Sequence, residues 1–475
     1  DAENLTLEWV GSVPGKREYR RFVRGHVLTQ QDVLEQREFE DRVAFGGWSI
    51  DLHPAGGVYA TEAGSRHWHP DGSYHIPLRC LFSRNVTNMW MAGRNISASH
   101  VAFGSTRVMA TCAVLGEAAG IGAALSQELE VTPSALAGEH AHQLRRALVR
   151  ADASVLGAEN DDPADLALQA TVRASSEKTT LASTLSAGLV SLTDDLGLVL
   201  PVDPRLDGIE VLVDAVEATE LRASLHATSA PQNYLPAEQV ADVHVTVEPG
   251  RSWVHLPLVW EPRTAQNGVV ILHANPELAV HEGVGAEPGT VTMIHREMPE
   301  DERYTEQWRD WKETVHGRGI CFRAIAPTQA FRADQVRGGF ARPYGGPNLW
   351  VSAATSEDPQ PWVELSWPEP VRIGRMEVVF DDDVNQDLIN LHHHRTEPEV
   401  METLVREARI EARSEGTWRE LASVEENRER RWATVLDGPL SVDSLRLVVP
   451  SEPGRRGSRV VAWRVDRDPQ HVAGR

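Results

Sequence analysis

The sequence predicts an α+β, multidomain protein, with a mixed α/β segment over residues 1–155 and two jelly-roll-like β-sandwich domains over residues 156–305 and 306–475. Helix start and stop signals are concentrated in the first segment, whereas short β-branched runs separated by Pro, Gly and Asn follow it. The length of 475 residues also exceeds what one hydrophobic core supports, since a domain holds about 100–200 residues.

Composition excludes several classes of partner. The hydrophobic share of 41% is ordinary for a globular protein, and no run of about 18 apolar residues predicts a membrane span. The formal charge of −22, with no Lys/Arg block to offset it, disfavours nucleic acid and anionic lipid, because both need a basic face. Cys80, Cys112 and Cys321 are too few and too scattered for a disulfide framework or a zinc site, and they leave the compartment, cytoplasmic or extracytoplasmic, open.

Capping residues and helix breakers predict the elements of the first segment. Thr29 and Asp32 have the spacing of an N-cap and its N3 partner, and Pro133 suits a first helical turn. The elements expected in order are a helix from Thr29 to Phe45 that stops at Gly46 and Gly47, a strand at 88–92, a helix capped by Ser105 that runs to about Gln127, and a helix from Thr132 to near Arg150.

Strand signals dominate the rest of the chain. An acidic stretch at 158–163 is a linker candidate, and the runs beyond it alternate or are β-branched, as sandwich strands are. A charged break at 297–311, with Trp308 and Trp311, divides two β-rich regions. The strands expected on either side of it are 209–214, 243–247 and 268–272, then 362–365, 375–380, 408–412 and 444–449.

The segment 91–109 and the helix after it carry the candidate chemistry. The pattern predicts a buried strand, a tight polar loop and a helix that is apolar nearly all round, hence buried on most faces. Gly116 and Gly120 lie one turn apart in it, and each costs about 1 kcal/mol relative to alanine. Such a cost is usually tolerated where another group approaches the backbone closely. The alternative is an ordinary buried strand–turn–helix core.

The start of such a helix suits an electron-rich ligand. It has unsatisfied N–H donors and about half a positive charge. Donors fixed there would stabilise the N1/C2 carbonyl region of a reduced flavin. Gly93 and Gly104 would let the backbone approach that ring or a diphosphate.

Residues 1–128 resemble the C-terminal part of the FAD-dependent oxidoreductases, whose pattern is approximately Ala-Gly-Arg-x-Ile-Ser-x-x-His-x-Ala-x-Gly-Ser-x-Arg-Val-Met, then Gly-x-Ala-Ala-Gly. Every position is met between Ala92 and Met109 and between Gly116 and Gly120. The stretches 17–21, 28–32 and 74–79 are similar to other landmarks of the family. The resemblance implies FAD as the cofactor. It implies FAD contacts at Gly93, Arg94, Ser97, Ser105, Arg107, Val108 and Met109. The argument from backbone approach at glycine adds Gly104 to these positions.

The unit that should open such a protein is missing. The family begins with a strand–Gly-x-Gly-x-x-Gly–helix unit that holds the ADP moiety. The nearest run, at 283–289, has the wrong spacing and is followed by a strand-like stretch, so we expect a loop. A second polypeptide, or the N-terminal part of the same precursor, is therefore expected to carry the unit. The start at Asp1, without Met or a signal-peptide pattern, leads us to expect a mature, cleaved or trimmed N-terminus.

A base is needed if a flavin takes a hydride from a carbon that bears a hydroxyl, and histidine suits that role near neutral pH. His100, between the strand and the helix, is the best-placed candidate, although it could instead cap or pack the loop. His67, His69 and His75 are expected in a loop, and no nearby carboxylate or cysteine pattern favours a metal. The histidines at 392–394 would point to alternate faces and are expected to be solvated. No metal is predicted.

Residues 331–470 resemble a discoidin or coagulation-factor type C-like jelly roll, a fold that often binds sugars or docks partners. The resemblance rests on the stretches 348–352, 362–365, 373–381, 410–418 and 426–428. Trp362, Trp367 and Trp418 occupy strand positions and are expected in the core, so no sugar-binding residues are assigned. The middle sandwich shows no chemistry.

Two kinds of function remain. The first is a subunit or processed fragment of an FAD-dependent oxidoreductase that oxidises a secondary alcohol of a carbohydrate or glycoside, a substrate class that rests on the appended sandwiches by association. A flavin-dependent reductase of a double bond is a weaker variant of it. The second is a non-catalytic β-rich binding or scaffold protein with a vestigial flavin segment.

Overall fold

A computed structural model describes residues 25–295, 311–313, 319–382, 400–450 and 457–467, together with residues 6, 8, 9, 12, 21 and 22. The helices in this part of the chain are α1 Gln30–Leu34, α2 His100–Thr106, α3 Met109–Glu128, α4 Pro133–Glu139 and α5 Ala141–Arg150. The first strands are β1 Arg42–Gly46, β2 Ile50–Leu52, β3 Arg66–Trp68 and β4 Tyr74–Pro77.

The remaining strands follow α5. They begin with β5 Thr171–Ala174, β6 Ala182–Ser183, β7 Ser186–Ser191, β8 Leu196–Val202, β9 Gly208–Ala215, β10 Thr219–Thr228, β11 Pro236–Val247 and β12 Gly250–Leu256. They continue with β13 Gln266–Leu272, β14 Leu278–Gly283, β15 Val291–His295, β16 Trp311–Glu313, β17 Phe322–Ile325 and β18 Trp350–Val351. The last are β19 Trp362–Phe380, β20 Ala408–Ser414, β21 Thr417–Val424, β22 Arg431–Val448 and β23 Arg459–Asp466.

The first segment packs its helices on two short antiparallel strand pairs. β1 pairs with β4 and β2 pairs with β3, while α3 and α5 both contact β1. One continuous apolar core joins the helices to the strands, and it includes Leu28, Val33, Ile50, Tyr74, Ile76, Leu115 and Leu144. The core fixes which face of α3 is buried.

The helix predicted from Thr29 to Phe45 is wrong beyond its first turn. The capping box of Thr29 and Asp32 is present, but Gln36, with a φ of 51°, follows the end of the helix. Residues 42–46 form β1 instead, because pairing with β4 buries Val43 and Ala44. Non-local strand pairing has overridden the local pattern.

Two other predictions for the first segment need correction. Residues 88–92, all described, form no strand, and Trp90 makes an isolated bridge with Phe82. Thr132 caps α4 through the N–H of Ala135, as predicted, but the helix is interrupted at His140 and resumes as α5.

The middle region is a sandwich of two antiparallel sheets. One has the strand order β11-β10-β13-β8-β15-β16, and the other has the order β6-β17-β9-β14-β7 with β12 beside β9. Their inner faces share an apolar core that includes Leu198, Val211, Leu225, Val270 and Val280. β7 lies at the edge of the second sheet.

The last region is a second sandwich, made by one sheet that bends over itself. Its strand order is β18-β23-β19-β22-β20-β21, and β5 adds to β19. The long strands β19 and β22 shift register after Ser366 and Ile373, and such bulges bend strands. The two halves of the sheet enclose a buried core that includes Trp350, Leu365, Phe380 and Trp463.

The predicted α+β organisation with two β-sandwiches is therefore confirmed. The sheets exchange strands across the predicted boundaries, because β17 pairs with β9 of the middle sandwich and β5 pairs with β19 of the last one. The division at 155/156 and 305/306 stays a prediction.

Candidate functional site

The long helix of the candidate site begins at a break between two helices. Ser99 caps α2 through the N–H of Ala102, at 3.1 Å. Arg107 ends that helix, Val108 is extended, and α3 starts at Met109 with no side-chain cap. Ser105 is therefore no cap, contrary to the prediction. It is buried inside α2, where its hydroxyl lies 2.6 Å from Tyr74 Oη and donates to Trp48 O at 2.6 Å.

The first turn of α3 is open to solvent. Met109 is 83% exposed, and Ala110 is exposed as well. The N–H of Cys112 bonds Val108 O, but the N–H groups of the preceding turn precede the helical ladder and have no capping side chain. Those donors, with the positive end of the helix dipole, form a ready site for a negatively charged or electron-rich group.

Three buried polar atoms lie in the same stretch of chain without a hydrogen-bond partner among the described residues. They are Asn95 Oδ1, Ser97 Oγ and Thr106 Oγ1. Buried polar atoms almost always have a partner, so each is a position where a ligand atom would complete the hydrogen bonding. The predicted contact residue Ser97 is thus buried but chemically unsatisfied.

The remaining predicted contact residues fall into two groups. Gly93, at φ 80°, faces open space, and Arg94 and Met109 are exposed. Arg107 instead turns inward, where Nη2 donates to Asp51 Oδ2 at 2.6 Å. At Gly104 a Cβ atom would lie 2.8 Å from Asp51 O, so the close approach there is made by β2 of this chain. FAD contacts at these positions stay predictions.

The sequence predicted that α3 is buried on most faces. In the structure it is not. Its buried side faces the core and includes Gly122, whose missing Cβ leaves room for the ring of Trp90. An outer face on which most residues are small is exposed or half-buried. An added Cβ at Gly116 or Gly120 would meet no atom of the described residues within 4 Å. The members of this outer face are Met109, Ala113, Gly116, Glu117, Gly120 and Ala124.

Composition gives α3 a second property that the sequence reading missed. Among the described residues it is the one helix with the length and hydropathy, 1.4, of a membrane-spanning segment, and 33% of that window is buried. Core helices of globular proteins have the same composition, because Ala and Gly suit close packing.

His100 is the first residue of α2 and is exposed. It is thus accessible to solvent, and its role as a base stays a prediction.

Two of the three histidines that were expected in a loop, His67 and His75, lie on strands, whereas His69 follows β3 outside any strand. His67 of β3 is buried, with Nδ1 2.9 Å from Ser49 Oγ and Nε2 3.0 Å from Ser65 Oγ. His75 of β4 is buried too. Burial lowers the pKa of His67, and it lowers the pKa of His75 to about 4. Both rings are therefore neutral at pH 7.

A carboxylate that sequence reasoning missed connects this strand pair to the helix break. Asp51 of β2 accepts from Arg107, and its Oδ2 lies 3.5 Å from His53 Nε2, while its Oδ1 lies 3.7 Å from His67 Nε2. The Arg107–Asp51 pair ties the end of α2 to β2 and so fixes where α3 begins. No local motif marks Asp51, because its partners come together only through the fold.

No metal centre emerges from the described residues, which contain no group of three or more His, Cys, Asp or Glu side chains suited to an ion. The histidines at 392–394 lie outside the described residues, as do residues 17–20 and Trp308.

Tryptophans of the last sandwich only partly follow the prediction. Trp367 is buried and donates from Nε1 to Leu166 O at 2.9 Å. Trp362 and Trp418 are half-buried, and the guanidinium of Arg446 lies over both rings, 4.3 and 4.2 Å from their centroids. These two rings stack on a cation instead of packing in the core.

Comparison with known families gives a match to the first segment. Residues 1–148 match the family model of FAD dependent oxidoreductases. This match confirms the resemblance drawn from the motif at 92–109, and FAD is the cofactor that the family implies. A comparison with curated proteins finds no match.

Similar solved structures include family 32 carbohydrate-binding modules. The module of Streptococcus pneumoniae EndoD is 18% identical over 26% of this chain and 77% of its own, with a TM-score of 0.20. The module of Clostridium perfringens NanJ, in complex with galactose, is 12% identical over 25% and 74%, with a TM-score of 0.18. GH31 CBM32-2, bound to GalNAc, is 9% identical over 30% and 90%, with a TM-score of 0.23. The sandwich architecture rests on the strand pairing of the chain itself.

Proposed function

We propose that the first segment is the flavin-ring half of an FAD-dependent oxidoreductase that oxidises a secondary alcohol of a carbohydrate or glycoside. The observation that carries the proposal is the first turn of α3, which is uncapped, exposed, and part of the region that matches the family. Bound FAD would supply the hydride acceptor.

The chain's own groups would bind and orient at this turn. The N–H groups of Met109, Ala110 and Thr111 are fixed donors, of the kind that stabilise developing negative charge without reorganisation. The hydroxyls of Ser97 and Thr106, unpartnered among the described residues, would complete their hydrogen bonding with polar atoms of the cofactor.

His100 is the proposed base. Its exposed imidazole, at the start of α2, would take the proton of the substrate hydroxyl as the hydride leaves the adjacent carbon. Histidine is suited to this step because its ordinary pKa lies near neutral pH.

A dinucleotide-binding unit outside residues 1–475, on a second polypeptide or on the N-terminal part of the same precursor, would complete the cofactor site. The run 283–289 joins β14 to β15, with Gly285 and Gly289 at φ 77° and 71°, so a turn stands where that unit requires a helix. The outer face of α3 supports a partner, since small exposed residues let another backbone approach closely. Gly116 and Gly120 on that face meet no atom of the described chain that would fill the space.

Two glycine variants test this surface. Gly120→Leu places a side chain on the outer face of α3, and Gly138→Leu places one on α4, where an added Cβ also meets nothing. Neither change crowds the chain itself, so both variants should unfold at or above the wild-type temperature. When the protein is isolated from its own cells, Gly120→Leu should reduce the retained partner and flavin absorbance at least about 10-fold, and Gly138→Leu should not. Equal retention in the two variants would contradict the proposed docking face.

A further inference from the structure

Three adjacent strands of the middle sandwich align a serine, a histidine and an aspartate. Ser186 of β7 has its Oγ 2.7 Å from His281 Nδ1, and His281 Nε2 lies 3.0 Å from Asp214 Oδ1 of β9. β14, which carries the histidine, lies between the other two strands. Both distances are in the range of nucleophile–base and base–carboxylate contacts in acyl-transfer enzymes.

The hydrogen bonds fix the direction of proton donation. Arg251 also donates to the carboxylate, from Nε to Oδ1 at 3.1 Å, and the hydrogen bonds of Arg251 and His281 lower the pKa of Asp214. The ionised carboxylate only accepts, so His281 Nε2 carries the proton. With the proton on Nε2, Nδ1 can accept, and the hydroxyl of Ser186, which also lies 3.3 Å from Gly188 O, can donate to Nδ1 at the shorter distance of 2.7 Å.

The serine is accessible, whereas the histidine is not. Ser186 is exposed on the edge strand β7, and His281 is 1% exposed. Low exposure holds the imidazole in one orientation and strengthens its interaction with the carboxylate. The serine thus presents its oxygen to solvent while the base behind it is kept dry.

The backbone around Ser186 is irregular at the point where chemistry would occur. Gly283 pairs with Ser186 and Glu282 with Gly188, so Ala187 is a bulge residue opposite no residue of β14. A bulge re-aims the neighbouring side chain and leaves the ladder locally unpaired. The N–H of the residue after a nucleophile is a common oxyanion donor, and Ala187 has that position.

An apolar side chain stands next to the serine. Leu189 pairs directly with His281, which places both side chains on one face of the sheet, and it is 50% exposed. It would contact a short acyl group bound at Ser186.

A second aligned set in the same sandwich differs in access. Ser224 Oγ lies 2.9 Å from His273 Nε2, and His273 Nδ1 lies 3.1 Å from Asp195 Oδ2. That serine is 0% exposed and also contacts His226 Nε2 at 3.0 Å, so substrate cannot reach it. Both sets have the hydrogen-bonding geometry of a nucleophile and its base. Of the two serines, only Ser186 is accessible to a substrate from solvent.

We propose that Ser186, His281 and Asp214 form a nucleophilic site that hydrolyses carboxylic esters with a short acyl group. Ser186 Oγ would attack the ester carbonyl while His281 Nδ1 takes its proton, and the proton then passes to the leaving alcohol as the C–O bond breaks. Water, deprotonated by His281, hydrolyses the acyl-serine to the carboxylic acid and restores the hydroxyl. This activity is independent of the flavin segment.

Covalent labelling of the full chain tests the proposal. A fluorophosphonate should add one group to the wild type, and peptide mapping should place it on Ser186. Ser186→Ala should remove the adduct, while Ser191→Ala, at another exposed serine of β7, should keep it. Asp214→Asn and His281→Asn should slow both labelling and hydrolysis of p-nitrophenyl acetate at least about 100-fold.

Folding is followed separately by thermal unfolding. Asp214 is only half-buried, whereas His281 is fully buried, so Asp214→Asn keeps the result interpretable if His281→Asn fails to fold. Absence of the adduct on folded wild type, or equal labelling in folded Ser186→Ala, would overturn the proposal. Either result would leave the three residues as a structural hydrogen-bond ladder and would not affect the flavin proposal.

Discussion

Two helix termini of the first segment differ in whether their backbone groups have hydrogen-bond partners from side chains. The C-terminus of α5 is fully engaged, since Arg464 donates to Val149 O and Arg150 O at 2.8 Å each and Arg431 donates to Ala151 O at 3.1 Å. The N-terminus of α3 has no side-chain cap and is exposed. We call these the closed end and the open end.

At the closed end, buried side chains of the same chain provide hydrogen bonds and charges for the helix terminus. Arg464 is 1% exposed, its charge faces Glu377 at 3.5 Å, and Arg150 pairs with Asp466. Cations at a helix C-terminus also complement its dipole. An open end in the same segment is therefore informative, because it lies where polar atoms and small residues also lack partners in the described chain.

The largest expected effect breaks the closed end. Arg464→Met removes the donor to two buried helix carbonyls and one of the cations that face Glu377, which keeps Arg375 and Arg431. The free energy of unfolding should therefore fall by about 2–4 kcal/mol. Denaturant titration measures it. Arg222→Met, which removes an exposed ion pair with Asp242, is the control and should give no measurable change. A loss of similar size in both variants would contradict the structural role given to Arg464.

Next in size is a change at the start of α2 that spares folding. His100→Ala should leave flavin bound and slow its reduction by substrate at least about 100-fold, the lower range for loss of a general base. Stopped-flow absorbance of the flavin measures the rate. His142→Ala, on the exposed side of α5, should reduce at the wild-type rate. An unchanged rate in His100→Ala would remove this histidine from the mechanism.

The buried histidine of β4, His75, predicts a pH dependence. Burial lowers the pKa of His75 to about 4, below the unfolded value of about 6.5, so the unfolded chain binds the proton more readily. Stability should therefore decline as pH falls from about 6.5 to 4, by about 2 kcal/mol from this group. His75→Asn should show a shallower decline in denaturant titrations across that window, and an identical slope would contradict the assignment.

The smallest effect compares two neighbouring serines. Ser97→Ala removes a buried hydroxyl that has no partner in the described chain, so it should stabilise the flavin-free chain by about 1 kcal/mol and weaken flavin retention. Ser99→Ala removes the cap of α2 and should destabilise by about 1 kcal/mol. Thermal unfolding of the two variants gives the signs, and destabilisation by Ser97→Ala would show that its hydroxyl has a structural partner.

Local sequence rules predicted the parts of the fold that local rules decide. The caps at Thr29 and Thr132 are present, and the alternating runs beyond residue 200 became strands of two sandwiches. The helix prediction for residues 42–46 failed because their pairing with β4 is non-local and leaves no local signal. No Gly or Pro marks the break between α2 and α3 at Arg107 and Val108. The ion pair between Arg107 and Asp51 stabilises this break, and it forms only in the folded chain.

The same limit applies to the sites. The motif at 92–109 indicated the open end, because its residues are consecutive. Ser186, Asp214 and His281 are brought together by the strand order β7-β14-β9, which no residue pattern along the chain reveals. For this reason, no candidate catalytic residues were predicted in the middle sandwich.

We propose that the open end binds a flavin whose other half is held by a segment outside residues 1–475, on a second polypeptide or on the N-terminal part of the same precursor. A native mass spectrum of the assembly, isolated from its own cells by a tag on this chain, tests it most directly. We predict a mass above the 52.5 kDa of residues 1–475 by one FAD and a further polypeptide segment, either separate or continuous with this chain, with the flavin released on denaturation. A colourless species of 52.5 kDa, with no second polypeptide and no flavin, would contradict the account.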